Sequence, residues 1–226
     1  MTSDKLIVVA ARHSSFFMMN HLARSFGLTG GVASGKTTAA QMFAELGAKI
    51  IDADRLGHEL IRAPQPAYHE IVSRFGFEIL DPQGEIDRQR LGALVFADPE
   101  KLRALNAILH PRIMERCDQL AEGFHLQDPR AVVLVDAALI YEANLAGRFA
   151  KIIVTWCRPE QQLERLMART GLSRAEAERR IAAQMPMEEK RRRADYVIDC
   201  SAALEETRAH ASSLLAKVRQ SLNQAR

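Results

Sequence analysis

Gly30-Gly31-Val32-Ala33-Ser34-Gly35-Lys36-Thr37 is the stretch of this 226-residue chain on which the reading of its fold rests. It fits the pattern G-x-x-x-x-G-K-[ST], in which each fixed position has a physical task. The glycines let the backbone turn back tightly, so that successive N–H groups point inward at phosphate oxygens. Lys36 carries positive charge to the β and γ phosphates, and the Thr37 hydroxyl suits Mg²⁺. Gly30, Gly31, Ala33, Ser34, Gly35, Lys36, Thr37 and Thr38 are therefore the expected nucleotide contacts. An apolar stretch precedes the loop and a helix-forming stretch follows it, which sets the phosphate at a helix N-terminus whose dipole favours an anion. A chance match in a chain of this length is on the order of 1%.

Outward from the loop, strand-like and helix-like stretches alternate. Ser25 to Thr29 reads as the strand before the loop, Thr37 to Leu46 as a helix, and Lys49 to Asp52, Ala131 to Asp136 and Lys151 to Thr155 as further strands. This alternation predicts a parallel sheet with helices on its faces. Between Gly57 and Gln127 the apolar residues fall at helical spacing (Leu91, Leu94, Val95, Leu102, Leu105), punctuated by Pro64, Pro66, Pro82, Pro99 and Pro111. That reads as a helical insertion. Glu160 to Lys190 carries charge at i, i+4 spacing and little apolar face, as a solvated, movable helical pair would. Tyr196 to Asp199 is a last strand and Leu204 to Leu222 a closing helix. The predicted fold is α/β, a P-loop NTPase sheet flanked by helices. Its core is expected at 25–56, 128–159 and 191–226, with a helical insertion at 57–127 and a movable helical pair at 160–190. Residues 1–24 form an extension without a motif, although Leu6 to Ala10 has the pattern of a strand.

Composition narrows the partners. Lys plus Arg number 31 against 28 Asp plus Glu, an excess too small to imply nucleic acid or a membrane surface. Lys190-Arg191-Arg192-Arg193 has acidic neighbours and no interleaved aromatics, so it reads as a solvated helix face that partly meets nucleotide phosphates. No apolar run has the roughly 18 residues of a membrane span. The three cysteines, Cys117, Cys157 and Cys200, lie about forty residues apart with no C-x-x-C pair, which argues against a zinc knuckle or a disulfide framework. A reducing cytoplasm is the expected setting, with no obligate protein partner indicated.

A P-loop alone does not separate a kinase from a GTP switch. No N-K-x-D or T-K-x-D segment is present, and the D-x-x-G string at Asp54 to Gly57 recurs at Asp81 to Gly84. Asp52 and Asp54 fall where a second strand should end, at the sheet edge where ligands bind. Asp54 either accepts a hydroxyl proton or serves as the N-cap of a helix over Arg55 to Ile61. Asp136, at the end of the Val132 to Val135 strand, is either a carboxylate that orients Mg²⁺ or a buried strand-end residue.

Phe26-Gly27-Leu28-Thr29 running into the loop, Phe43-Ala44-Glu45-Leu46-Gly47, Ile51-Asp52-Ala53-Asp54, Val95-Phe96 with Asp98-Pro99-Glu100, Leu109-His110-Pro111, and Glu164-Arg165-Leu166 through Ala182-Ala183-Gln184 together closely resemble the dephospho-coenzyme A kinase family. The resemblance runs from Phe26 to the C-terminal helix. It implies ATP-dependent phosphorylation of the ribose 3′-hydroxyl of dephospho-coenzyme A, the last step in making coenzyme A, on a P-loop core in which 57–127 is a helical substrate-binding insertion and 160–190 a helical lid. It also implies Asp54 as general base, Arg165 as the lid arginine on the phosphates, and Arg88 and His110 on the acceptor side; Lys36, and Mg²⁺ near Thr37 and Asp136, come from the loop and strand-end reading above. The chain departs from the family pattern at Ala137-Ala138, where a proline is usual, and at Cys200-Ser201-Ala202, where asparagine and glycine are usual.

Overall fold

The computed structural model describes residues 21–224, so most of the expected 1–24 extension, Leu6 to Ala10 included, lies outside the described residues. The described chain runs β1 (Phe26–Gly30), α1 (Lys36–Glu45), β2 (Lys49–Asp52), α2 (Ala53–Leu60), α3 (Pro66–Phe75), α4 (Arg88–Phe96), α5 (Pro99–Gln127), β3 (Val133–Asp136), β4 (Lys151–Trp156), α6 (Pro159–Thr170), α7 (Arg174–Ala182), α8 (Met187–Arg193), β5 (Tyr196–Asp199) and α9 (Leu204–Gln224).

The five strands form a sheet in the order β2-β3-β1-β4-β5. All four pairings are parallel, with Leu28 opposite Asp136, Gly30 opposite Thr155, Asp52 opposite Asp136 and Trp156 opposite Asp199. Every strand therefore ends at one edge, and β1 lies between strands reached by crossovers in both directions, which makes a crevice at that edge. Successive strand residues face opposite sides of the sheet. Phe26, Leu28, Leu134 and Ile198 pack under Phe43 of α1 and Leu214, Leu215 and Val218 of α9. On the other face Val133, Val135, Ile152 and Val154 pack with Leu56 of α2 and Met114, Cys117 and Ala121 of α5.

A third cluster, including Ile71, Phe75, Ile79, Leu91, Val95, Leu105 and Ile108, is internal to the segment between β2 and β3. Helix α5 joins it to the sheet. Leu105 and Ile108 sit in this cluster, whereas Met114, Cys117 and Ala121 sit against the sheet. Pro66 and Pro99 occupy first-turn positions, where a missing N–H costs nothing. Pro111 does not punctuate, contrary to the reading from spacing: it lies inside the 29-residue α5. Burial of both halves of the helix in separate cores outweighs the roughly 3 kcal/mol that an interior proline costs.

Two further differences concern boundaries and charge. The turn His21–Arg24 belongs to the fold: Leu22 is 0% exposed and its N–H donates to Asp118 Oδ1 at 3.0 Å. The lid stretch is three helices, not a pair, and Lys190 is not on a solvated face. Its side chain is 0% exposed, with Nζ 2.9 Å from Glu142 and donating to the Ala138 carbonyl at 2.9 Å. A buried ammonium needs such partners, and they come from a loop 48 residues upstream that no local pattern reveals.

Candidate active site

The loop's own geometry follows from its residues. Gly35 has φ 97°, and Ala33 has φ 60°, a left-handed value that costs a non-glycine residue roughly 1 kcal/mol. At Gly30 the constraint is space: a Cβ there would lie 2.9 Å from the Thr155 carbonyl of β4. Ser34, fully buried, shares a hydrogen bond of 2.8 Å with Thr155 Oγ1, which fastens the loop to the end of β4.

Lys36 is the first residue of α1, and its ammonium lies between two carboxylates. It is hydrogen-bonded to Asp136 Oδ1 at the end of β3 and stands 3.5 Å from Asp54 Oδ2. Burial pushes the Asp136 carboxyl above the usual range, and the pull of Lys36 in the other direction does not cancel it. The Asp54 side chain is 57% exposed. The cap of α2 is Asp52, whose carboxylate accepts the Arg55 N–H at 2.8 Å. The helix thus begins two residues earlier than expected, and Asp54 lies in its first turn, free of capping duty.

These groups open on a cavity of about 660 Å³, of the size that holds a small ligand. Gly31, Ala33, Gly35, Lys36, Thr37, Thr38, Asp54 and Arg165 all line it. Arg165 comes from α6, with its guanidinium donating to the Cys200 carbonyl at 2.8 Å. Arg169, Gln184 and Thr207 also line the cavity, and sequence reasoning gave none of them a role. The signal for Arg169 was available, since it lies four residues from Arg165 and so on the same helix face.

Arg88 and His110 are not among the cavity's lining residues. Arg88 is exposed at the start of α4, and His110 is half-buried within α5. Burial holds the His110 imidazole below its ordinary value. Cys157 and Cys200 directly follow β4 and β5 beneath the loop. Both are buried and free, and burial raises both thiols, that of Cys200 to about 12. Such thiols are poor nucleophiles near neutral pH.

At the outer side of β4, Trp156 donates Nε1–H to Glu188 of α8 at 2.7 Å. The Arg191 guanidinium, also on α8, stands 4.5 Å from the ring centroid. Among the described residues no group of three or more His, Cys, Asp or Glu could cage a metal. An exposed Thr37 hydroxyl and the Asp136 carboxylate suit instead an ion held mainly by phosphate oxygens. No helix of the described residues is long and apolar enough to cross a membrane.

Comparison with known proteins agrees with this geometry. The dephospho-CoA kinase family model matches residues 24–206. A dephospho-CoA kinase of Bacillus cereus is 43% identical over 189 residues, covering 84% of this chain and 94% of that protein. One from Symbiobacterium thermophilum is 46% identical over 186 residues, 82% of this chain and 77% of the relative. Among solved structures, a Thermus thermophilus protein superposes with a TM-score of 0.71 at 34% identity, covering 85% of this chain and 96% of its own. The dephospho-CoA kinase of Campylobacter jejuni gives 0.56 at 26% identity, covering 86% and 97%. With a phosphate loop, a parallel sheet and these relatives over most of its length, the chain belongs to the dephospho-CoA kinase family.

Proposed function

We propose that the chain transfers the γ-phosphoryl group of ATP to the ribose 3′-hydroxyl of dephospho-coenzyme A, giving coenzyme A and ADP. The observation that carries this reading is the convergence of Lys36, Thr37, Asp54 and Arg165 on one cavity, with the Lys36 ammonium between Asp54 and Asp136.

Phosphoryl transfer places little covalent chemistry on the protein; it demands positioning and charge stabilisation. The loop and the N-terminus of α1 bind the phosphates, and Lys36 neutralises charge on the transferred group. Asp54 is the general base. Its carboxylate is open to the cavity, is released from capping by Asp52, and stands 3.5 Å from the Lys36 ammonium. Arg165 meets the equatorial oxygens with its planar fork when the lid moves inward. Thr37 and Asp136 would hold Mg²⁺, which supplies further neutralisation of phosphate charge. Arg88 and His110, on the helices of the insertion, bind the acceptor, His110 as a neutral ring at pH 7.

The test is ADP release by the purified protein with ATP and dephospho-coenzyme A, with the phosphorylated product identified by mass. Turnover on dephospho-coenzyme A well above that on shikimate, gluconate or a nucleoside is expected. Equal or greater turnover on one of those acceptors overturns the assignment.

A further inference from the structure

Both ends of the lid reach a single residue of the phosphate loop. Gln162, in the first turn of α6 and 3% exposed, donates Nε2–H to the Val32 carbonyl at 2.8 Å. Gln184, in the short connection between α7 and α8, accepts the Val32 N–H on Oε1 at 2.7 Å. Next along the backbone, the Gly31 N–H points at Met187 Sδ of α8 at 3.0 Å.

The side-chain ends of both lid residues lie close over the loop. A Cβ on Gly31 would lie 2.6 Å from Gln162 Nε2 and 2.6 Å from Met187 Sδ, so a larger residue there would push both side-chain ends off the loop. The G-x-x-x-x-G-K-[ST] pattern leaves that second position open. The N–H groups of Gly31 and Val32 are also committed to the lid, so they do not serve as phosphate donors in this arrangement.

Gln162 and Arg165 are three residues apart on α6 and therefore share a face. Fixing the Gln162 amide to Val32 sets the rotation of α6 about its axis, and with it the direction from which Arg165 enters the cavity. Gln184 does the same for the far end of the lid. Because both bonds end on one residue of the phosphate loop, the loop and the arginine are registered to each other through Val32.

We propose that Gln162 and Gln184 are positioning residues for phosphoryl transfer, acting through Val32 to align the phosphate loop with Arg165. The proposal rests on the kinase reading above. Neither amide need touch substrate. Misplacement of catalytic groups by about 1 Å is enough to cost on the order of a hundredfold in rate, whereas the cradle's affinity for ATP depends mainly on Lys36 and the helix N-terminus.

The test uses Gln162→Met, Gln184→Met and the double variant in the full chain beside the parent, since methionine keeps the length and removes the amide. Measured on each are kcat with dephospho-coenzyme A, ATP Kd by calorimetry, and the thermal midpoint by circular dichroism. Each single variant is expected to lose about tenfold to a hundredfold in kcat, with ATP Kd held within about threefold. The double variant should fall less than the product of the two losses, because both act on one residue. Single variants with kcat within about twofold of the parent, losses that multiply fully, or losses carried entirely by ATP Kd overturn the proposal. Should Gln162→Met fail to fold, the half-buried Gln184 decides alone. A parent inactive on dephospho-coenzyme A counts against the functional reading; an active parent with unaffected variants counts against this inference only.

Discussion

Asp54 and Asp52 are two residues apart and are placed differently. Asp52 accepts the Arg55 N–H and caps α2, whereas Asp54 faces Lys36 with more than half of its side chain exposed. Asp54→Asn should therefore leave the thermal midpoint nearly unchanged and ATP affinity similar. It should still lose on the order of 10² to 10⁴ in kcat, because an amide cannot take the acceptor's proton. A folded variant within a few-fold of parental kcat would remove Asp54 from the mechanism. At His110 the observable is stability against pH. Burial lowers its folded-state value from 6.5, so between the two values the folded chain binds fewer protons than the unfolded one. Its contribution is complete above about pH 6.5 and is lost as pH falls through the lowered value. His110→Gln should flatten that part of the curve in urea midpoints taken at several pH values; an unchanged slope would assign the acid sensitivity elsewhere.

Elements carry the next tests. The turn ahead of β1 seals the cluster formed by α2, α5 and the sheet, because Leu22 is fully buried there. Leu22→Ala should cost about 2–4 kcal/mol in denaturant unfolding, and a chain beginning at Ala23 should lose stability in the same way. If both unfold at the parental midpoint, the turn contributes nothing to the core. In the lid, α6 presents Arg165 to the cavity, and an arginine that acts on the transferring group should show mainly in kcat. Arg165→Ala is expected to lower kcat far more than it raises ATP Kd. Equal losses in both would make it a ground-state binder, and its bond to the Cys200 carbonyl would then be its main role.

At the scale of the molecule, the parallel sheet and the helical stretches between its strands were legible because hydrophobic period and loop motif act locally. The strand order was not, since nothing within β3 says that it inserts between β2 and β1. At the site, Lys36, Thr37 and Asp136 could be placed from their strand–loop–helix context. The division of labour between Asp52 and Asp54 could not, because both carboxylates stand at a helix start and only the backbone angles decide which one caps. Lys190 reads as one more member of a basic run until Glu142 and the Ala138 carbonyl are seen beside it. Pro111 reads as a helix end until both halves of α5 prove to be held by separate cores. Gln162 belongs to no charge or apolar pattern, and Gln184 closes the family segment Ala182-Ala183-Gln184 with no role attached, so only the contact with Val32 shows what they hold.

The chain contains a single tryptophan, and its position gives the protein an optical signal of its own. Trp156 ends β4 on the rigid sheet, while both its indole hydrogen-bond acceptor, Glu188, and its stacking partner, Arg191, ride on α8 at the end of the lid. Any displacement of α8 changes the polarity and quenching around one fluorophore without an attached label. Adding ATP should shift the intensity or wavelength of tryptophan emission if the indole loses or gains its charged neighbours. Glu188→Gln should move the baseline spectrum in the same preparation. Emission that ignores ATP at saturating concentration, in a protein that binds it by calorimetry, would mean that α8 stays fixed on the sheet when the nucleotide binds.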